Sequence, residues 1–152
     1  ERIKGLYLAA LVHDLGKIAT PSEILTKPSM LTETELALIK EHPKTGYDIL
    51  KDIPFTWPIA QAVYQHHERI DGSGYPNQLV GDAIIPEAKI LAIADTIESM
   101  TSHRPYRPGL GLEKAILQVK SEAGKTLDPA ICEVACQLIE QDEFQKIMAS
   151  TE

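Results

Sequence analysis

The sequence predicts an all-α domain. Apolar residues recur at helical spacing along most of the chain, prolines and capping residues stand where helices would begin, and the strict alternation of strands is absent. At 152 residues the chain is the size of one domain, able to bury roughly 68–70% of its unfolded surface without staples. Apolar residues make up 43% and charged residues 24%, the balance of a globular chain rather than a disordered one.

Leu6, Ala9, Ala10, Val12 and His13 form the apolar stripe of an opening helix. Thr20-Pro21 and Lys27-Pro28 punctuate a connecting stretch. Thr32 and Glu35 make the Thr-x-x-Glu capping box of a helix carrying Leu36, Ile39 and His42. Pro43 bends or restarts that helix, which continues through Ile49 and Leu50. Pro58 marks the start of another, with Ile59, Ala62, Val63 and His66 on one face. Residues 70–85 form a loop rich in Gly, Asp and Pro, long enough to expect a functional role. Pro86 opens a strongly apolar helix through Met100. Two more helices are expected, over residues 112–122 and after the Asp128 N-cap, with Pro129 at the first helical position.

Fifteen basic against 22 acidic residues give a net charge of −7, so no basic stripe is available for a DNA or RNA polymer. An anionic small substrate stays compatible, because bound cations reverse the local field. The longest uncharged apolar run, Ile90 to Ala94, is too short to span a membrane. Cys132 and Cys136 share a helix face, and no second pair completes a zinc site. They are expected as a reduced core pair in a cytoplasmic protein. The chain opens at Glu1 inside a helical pattern, without a signal peptide, and an upstream segment is expected to precede it.

His13-Asp14 close the first helix, His42 faces inward on a later one, and His66-His67-Glu68 end the helix before the long loop. Asp95 interrupts the apolar run, where an unpaired carboxylate costs several kcal/mol and calls for a cation. Each has an ordinary explanation when taken alone. His42 could be a hydrogen-bonded core histidine, Asp95 a salt-bridge partner, and His66-His67 imidazoliums at a helix C-terminus. Together in one small helical domain they favour a shared metal site. Imidazoles and carboxylates without thiolates suit Fe, Mn, Ni or Zn rather than a structural zinc site. A carboxylate such as Asp14 can bridge two cations, and such a pair holds a bridging hydroxide and clamps an in-line phosphoryl displacement. Lys17, about one turn further if the helix persists past Gly16, could place its charge on a phosphate oxygen or simply close the helix in solvent.

His13-Asp14-Leu15-Gly16-Lys17 resembles the HD-x-G-K motif of the HD phosphohydrolases, and His42-Pro43-Lys44-Thr45-Gly46 an H-x-x-x-G element of one branch. Residues 66–76 are similar to HHE-xx-DG-x-GYP, the hallmark of the HD-GYP domain. The stretch from Ala94-Asp95 to Arg107 resembles the family's D-x-x-D-A-x-TS-x-RPYR, and the similarity runs in order to Asp128-Pro129. On these motifs the chain is identified as a member of the HD-GYP family.

The resemblance implies an HD-domain-like helical bundle over residues 1–152, with a metal site between helices and a long GYP loop. It implies a metal-dependent phosphodiesterase that opens cyclic di-GMP to linear pGpG and, in many members, GMP. By resemblance His13, Asp14 and Asp95 hold one divalent ion, and Asp14 bridges to a second held by His42, His66 and His67. Fe or Mn is the expected metal, with Ni or Zn as alternatives. Lys17 contacts the scissile phosphate, and Asp14 and Lys17 are the catalytic pair. Asp71, Gly72, Gly74, Tyr75 and Pro76 border the substrate, and the loop they form is a docking point for diguanylate cyclase-type domains. Arg104 and Arg107 are phosphate or guanine contacts, or else packing and salt-bridge residues.

Departures are visible as well. The family's first metal-binding histidine lies upstream of the HD motif, before this chain opens, so a further ligand and a sensory or receiver domain are expected upstream. The resemblance implies two ions, or three as in members with an additional upstream Glu. Glu98-Ser99 stands where the family has Asp-Ala. The alternative function is a catalytically impaired module that binds a nucleotide or docks a protein, which the full set of family ligands within this span disfavours. Mixed cyclic GMP-AMP is a second substrate candidate. A hydrolase of nucleotide mono- or triphosphates would leave the GYP loop without a reason.

Overall fold

The longest helix joins two hydrophobic cores. The computed structural model of the chain describes residues 2–102 and 108–141. Their α-helices are α1 (Arg2–Val12), α2 (Ser22–Leu25), α3 (Glu33–Lys40), α4 (His42–Leu50), α5 (Ile59–Gln65), α6 (Pro86–Thr101), α7 (Leu112–Glu122) and α8 (Pro129–Ile139). Short 3-10 turns cover Leu15–Ala19 and Gly81–Ala83. Among the described residues there is no strand beyond isolated bridges at Asp71–Val80 and Ala123–Leu127, so the fold is all-α.

Helix α6 starts with proline, whose missing N–H costs nothing in a first turn. It is apolar on more than one side. Leu91 packs with Ala9, Leu50, Ile59, Ala62 and Val63, tying α6 to α1, α4 and α5. Its neighbours Ala92, Ile93 and Ile97 turn the other way, onto Ala115, Val119 and Leu127 and the α8 residues Cys132, Cys136 and Ile139. Both cysteines are buried and free.

Local chemistry sets several boundaries. Thr32 accepts the Glu35 N–H while the Glu35 carboxylate accepts the Thr32 N–H at 2.7 Å, a complete capping box, and Lys27 adds a salt bridge to Glu35 at 2.7 Å. Pro43 does restart the chain: α3 stops at Lys40 and α4 begins at His42. Asp128 caps α8 by accepting the N–H groups of Ala130 and Ile131. A short helix, α2, occupies the stretch read as a plain connection.

The first helix differs from its expected course. Gly5 and Ala9 are its buried residues and Ala10 is exposed, because the helix backbone at Gly5 lies against the Trp57 side chain. It ends at Val12, and the chain tightens into a 3-10 turn instead of carrying Lys17 on a continuing α-helix. Gly16 explains this. A Cβ there would overlap the His42 carbonyl and lie 2.6 Å from the Gly46 nitrogen, so this turn packs backbone to backbone on α4. No helix of the described residues is long and apolar enough to cross a membrane.

Candidate metal centre

Four elements deliver the polar residues to one place. The turn after α1 supplies His13 and Asp14, the start of α4 supplies His42, the turn just after α5 supplies His66 and His67, and the middle of α6 supplies Asp95. Asp14 lies between two histidines, with Oδ1 3.3 Å from His42 Nε2 and Oδ2 3.4 Å from His13 Nε2. Asp95 faces His13 Nε2 at 3.9 Å through one oxygen and His67 Nδ1 at 4.0 Å through the other. One nitrogen each from His42, His66 and His67 lies within 4.8 Å of the others.

The histidines are oriented by one repeated contact. His13, His42 and His66 each point Nδ1 at the carbonyl three residues earlier, at 2.6, 2.7 and 2.6 Å. A carbonyl only accepts, so each Nδ1 carries the proton and Nε2 is the nitrogen turned to the centre. Burial holds His66 down to about 3 and lowers His42, so both rings are neutral near pH 7. Their Nε2 atoms stand 3.2 Å apart, each presenting a lone pair to the other with no proton between them. Two lone pairs in that position repel unless a cation lies between or beside them. Burial, with His66 and His42 beside it, also pushes His67 well below its ordinary value.

The carboxylates diverge. Burial raises Asp95 above the usual carboxylate range. Burial acts the same way on Asp14 but is outweighed by the hydrogen bond and charge of Lys17 with His13 and His42, and its net shift is downward. Lys17 Nζ donates to Asp14 Oδ2 at 2.6 Å, which pairs the lysine with the central carboxylate. Neutral imidazoles, clustered carboxylates and facing lone pairs fit a divalent cation.

The loop of residues 70–85 closes over one side. Tyr75 stacks on His67, ring centroids 4.7 Å apart at 21°, and Lys40 Nζ lies 5.2 Å from the Tyr75 centroid. Gly74 is tight against the backbone of Arg69, Glu68 and His67, and a side chain there would force the loop off α5. Gly72 adopts φ +83°, the Tyr75–Pro76 peptide is cis, and the exposed Asp71 accepts the Ser73 N–H and hydroxyl within its own turn. Arg104 and Arg107 lie outside the described residues.

Two side chains that hold this loop received no role from sequence reasoning. Glu68 is 2% exposed, and its two oxygens accept the N–H groups of Asn77 at 2.7 Å and Leu79 at 2.9 Å. Gln65 is equally buried and accepts the Ile85 N–H at 2.8 Å. Gln65 showed in the sequence only as a polar residue on an otherwise apolar helix end, and Glu68 as the third residue of the HHE motif, with no role attached to it.

The sequence pattern of the HD domain matches residues 2–131. The chain belongs to the HD-domain family. Its HHE-to-GYP run agrees with the HD-GYP branch, and in fold this HD domain resembles Bd1817, a HDG"Y"P protein from Bdellovibrio bacteriovorus. That likeness has a TM-score of 0.74 at 21% identity over 92% of this chain and 44% of the other. It is 41% identical over 131 residues to the cyclic di-GMP phosphodiesterase response regulator RpfG of Xanthomonas campestris pv. campestris, covering 85% of this chain and 35% of that one. It is 36% identical over 152 residues to 3'3'-cGAMP-specific phosphodiesterase 1 of Vibrio cholerae, covering all of this chain and 33% of the relative. The HD domain thus spans about a third of the length of these curated relatives.

Proposed function

We propose that this HD domain is the catalytic unit of a divalent-metal-dependent phosphodiesterase that opens a cyclic dinucleotide. The observation that carries the reading is the pair of neutral imidazoles, His42 and His66, whose Nε2 lone pairs face each other beside Asp14. His13, Asp14 and Asp95 would hold one ion and His42, His66 and His67 a second, with Asp14 shared. When bound, such ions supply the Lewis acidity that activates water and neutralises phosphate charge. Fe or Mn suits this donor set, with Ni or Zn as alternatives.

The remaining work belongs to the chain. Lys17 sits on the 3-10 turn with its ammonium at the edge of the centre, and it can exchange its Asp14 contact for a non-bridging phosphate oxygen. Tyr75, over His67, borders the substrate on the loop side. The relatives' names support cyclic di-GMP first and 3'3'-cGAMP second. The test is product chromatography on the full-length protein with each dinucleotide, before and after chelation. Conversion to the linear dinucleotide or mononucleotide that chelation stops and added Mn2+ restores is expected. No conversion of either compound by the metal-loaded protein would overturn the enzymatic reading.

A further inference from the structure

We propose that Glu68 is a positioning residue for the metal centre, acting on His67 through Tyr75. The inference rests on the metal-centre reading above and adds a residue to which no ligand or substrate role falls. Glu68 directly follows the two histidines of the turn after α5, yet its carboxylate turns away from them into the loop. There it accepts the backbone N–H groups of Asn77 and Leu79, one on each oxygen, at 2.7 and 2.9 Å. These bonds bracket the segment just after Tyr75-Pro76, and the Tyr75 N–H returns to the His67 carbonyl at 3.2 Å. The loop is pinned on both sides of Tyr75, whose ring lies flat on the His67 imidazole.

The arrangement has a chemical reason. His13, His42 and His66 are each oriented by an Nδ1–H bond to a backbone carbonyl. His67 has Nδ1 directed toward Asp95 at 4.0 Å, beyond hydrogen-bond length. Its ring is set by packing, between His66 at 4.1 Å and Tyr75 at 4.7 Å. A ligand ring held by stacking rather than by a hydrogen bond depends on whatever holds the stacking partner, and that is the Glu68 clamp. Glu68→Gln keeps the size and one acceptor oxygen but turns an NH2 group toward a backbone N–H, so one of the two bonds is lost.

The experiment compares wild type, Glu68→Gln, Tyr75→Ala and the double variant in the full-length protein. Two readouts are taken beside thermal unfolding: the His67 C–H resonances of the metal-free protein, displaced by the Tyr75 ring current, and Co2+ titration followed by the cobalt absorption bands. Glu68→Gln is expected to shift the His67 resonances toward their unstacked position and to weaken Co2+ roughly 10–100-fold, as loss of a ligand's supporting contact does. In the Tyr75→Ala background it should change neither further, because the path through Tyr75 is already cut. Glu68→Gln that lowers only the thermal midpoint, with His67 resonances and cobalt affinity unchanged, would make Glu68 a fold support and overturn the inference. Additive effects of the two substitutions on cobalt affinity would overturn the route through Tyr75. Wild-type protein that takes up no Co2+ would instead remove the metal-centre reading, and this inference with it.

Discussion

Asp14 is where the two sides of the centre meet, one oxygen toward His42 and the other toward His13 and Lys17. Removing it leaves four imidazoles with too little negative charge for a pair of divalent ions. Asp14→Ala should therefore lose bound metal and bring turnover to background, as metal analysis beside a rate assay will register. Lys17→Ala should behave differently. In the proposed role its ammonium would supply charge rather than a metal ligand, so metal content should hold while the rate falls roughly 10²–10³-fold. Equal loss of metal in both variants would place Lys17 in the ligand network instead. His66 carries a pH prediction for the metal-free protein. Burial lowers it from 6.5 to about 3 in the fold, so below pH 6.5 the unfolded chain binds a proton that the folded chain refuses. The stability this neutral ring contributes is full above pH 6.5 and declines as pH falls toward 3. Urea midpoints at pH 7.5 and 5 should show it, the lower at pH 5.

At the scale of elements, the contact between the 3-10 turn and α4 positions His13 and Asp14 against His42. Gly16→Ala should wedge that contact through the His42 carbonyl, destabilising by roughly 1–3 kcal/mol and weakening metal uptake as well, which denaturant titration and metal analysis measure together. Thr32→Ala should cost about 1 kcal/mol through loss of the cap and leave metal uptake alone, since α3 supplies no ligand. These two elements also mark what could be read in advance. The starts of α3, α6 and α8 were legible because Thr32 with Glu35, Pro86, and Asp128-Pro129 act on their own first turns. The end of α1 was legible at His13-Asp14, but the 3-10 turn that follows was not, because it is set by Gly16 meeting α4 some 30 residues later, a contact with no local signature. The same division runs through the site. The histidines and aspartates announced themselves as polar residues on apolar faces and as a motif. The pairing of Lys17 with Asp14, the shared Nδ1-to-carbonyl orientation and the Glu68 clamp depend on backbone geometry that spacing does not encode.

For the whole molecule, the proposed function sets a net charge of −7 and a centre with two carboxylates against an anionic substrate. On that proposal cations serve binding as well as chemistry, and the chelated protein should lose cyclic dinucleotide binding along with turnover. Bound metal should also stabilise the fold, by about 2.7 kcal/mol when free metal is a hundred times its dissociation constant, because the ligands come from elements far apart in the chain. A thermal midpoint that does not move with added Mn2+ would contradict this linkage. The most direct measurement is elemental analysis of the purified full-length protein by mass spectrometry, wild type beside Asp14→Ala. Two divalent transition-metal ions per HD domain in the wild type, falling below one in the variant, are expected. Wild-type protein that stays empty after incubation with Fe2+ or Mn2+, or a variant that retains both ions, would contradict a shared metal centre at His13, Asp14, His42, His66, His67 and Asp95.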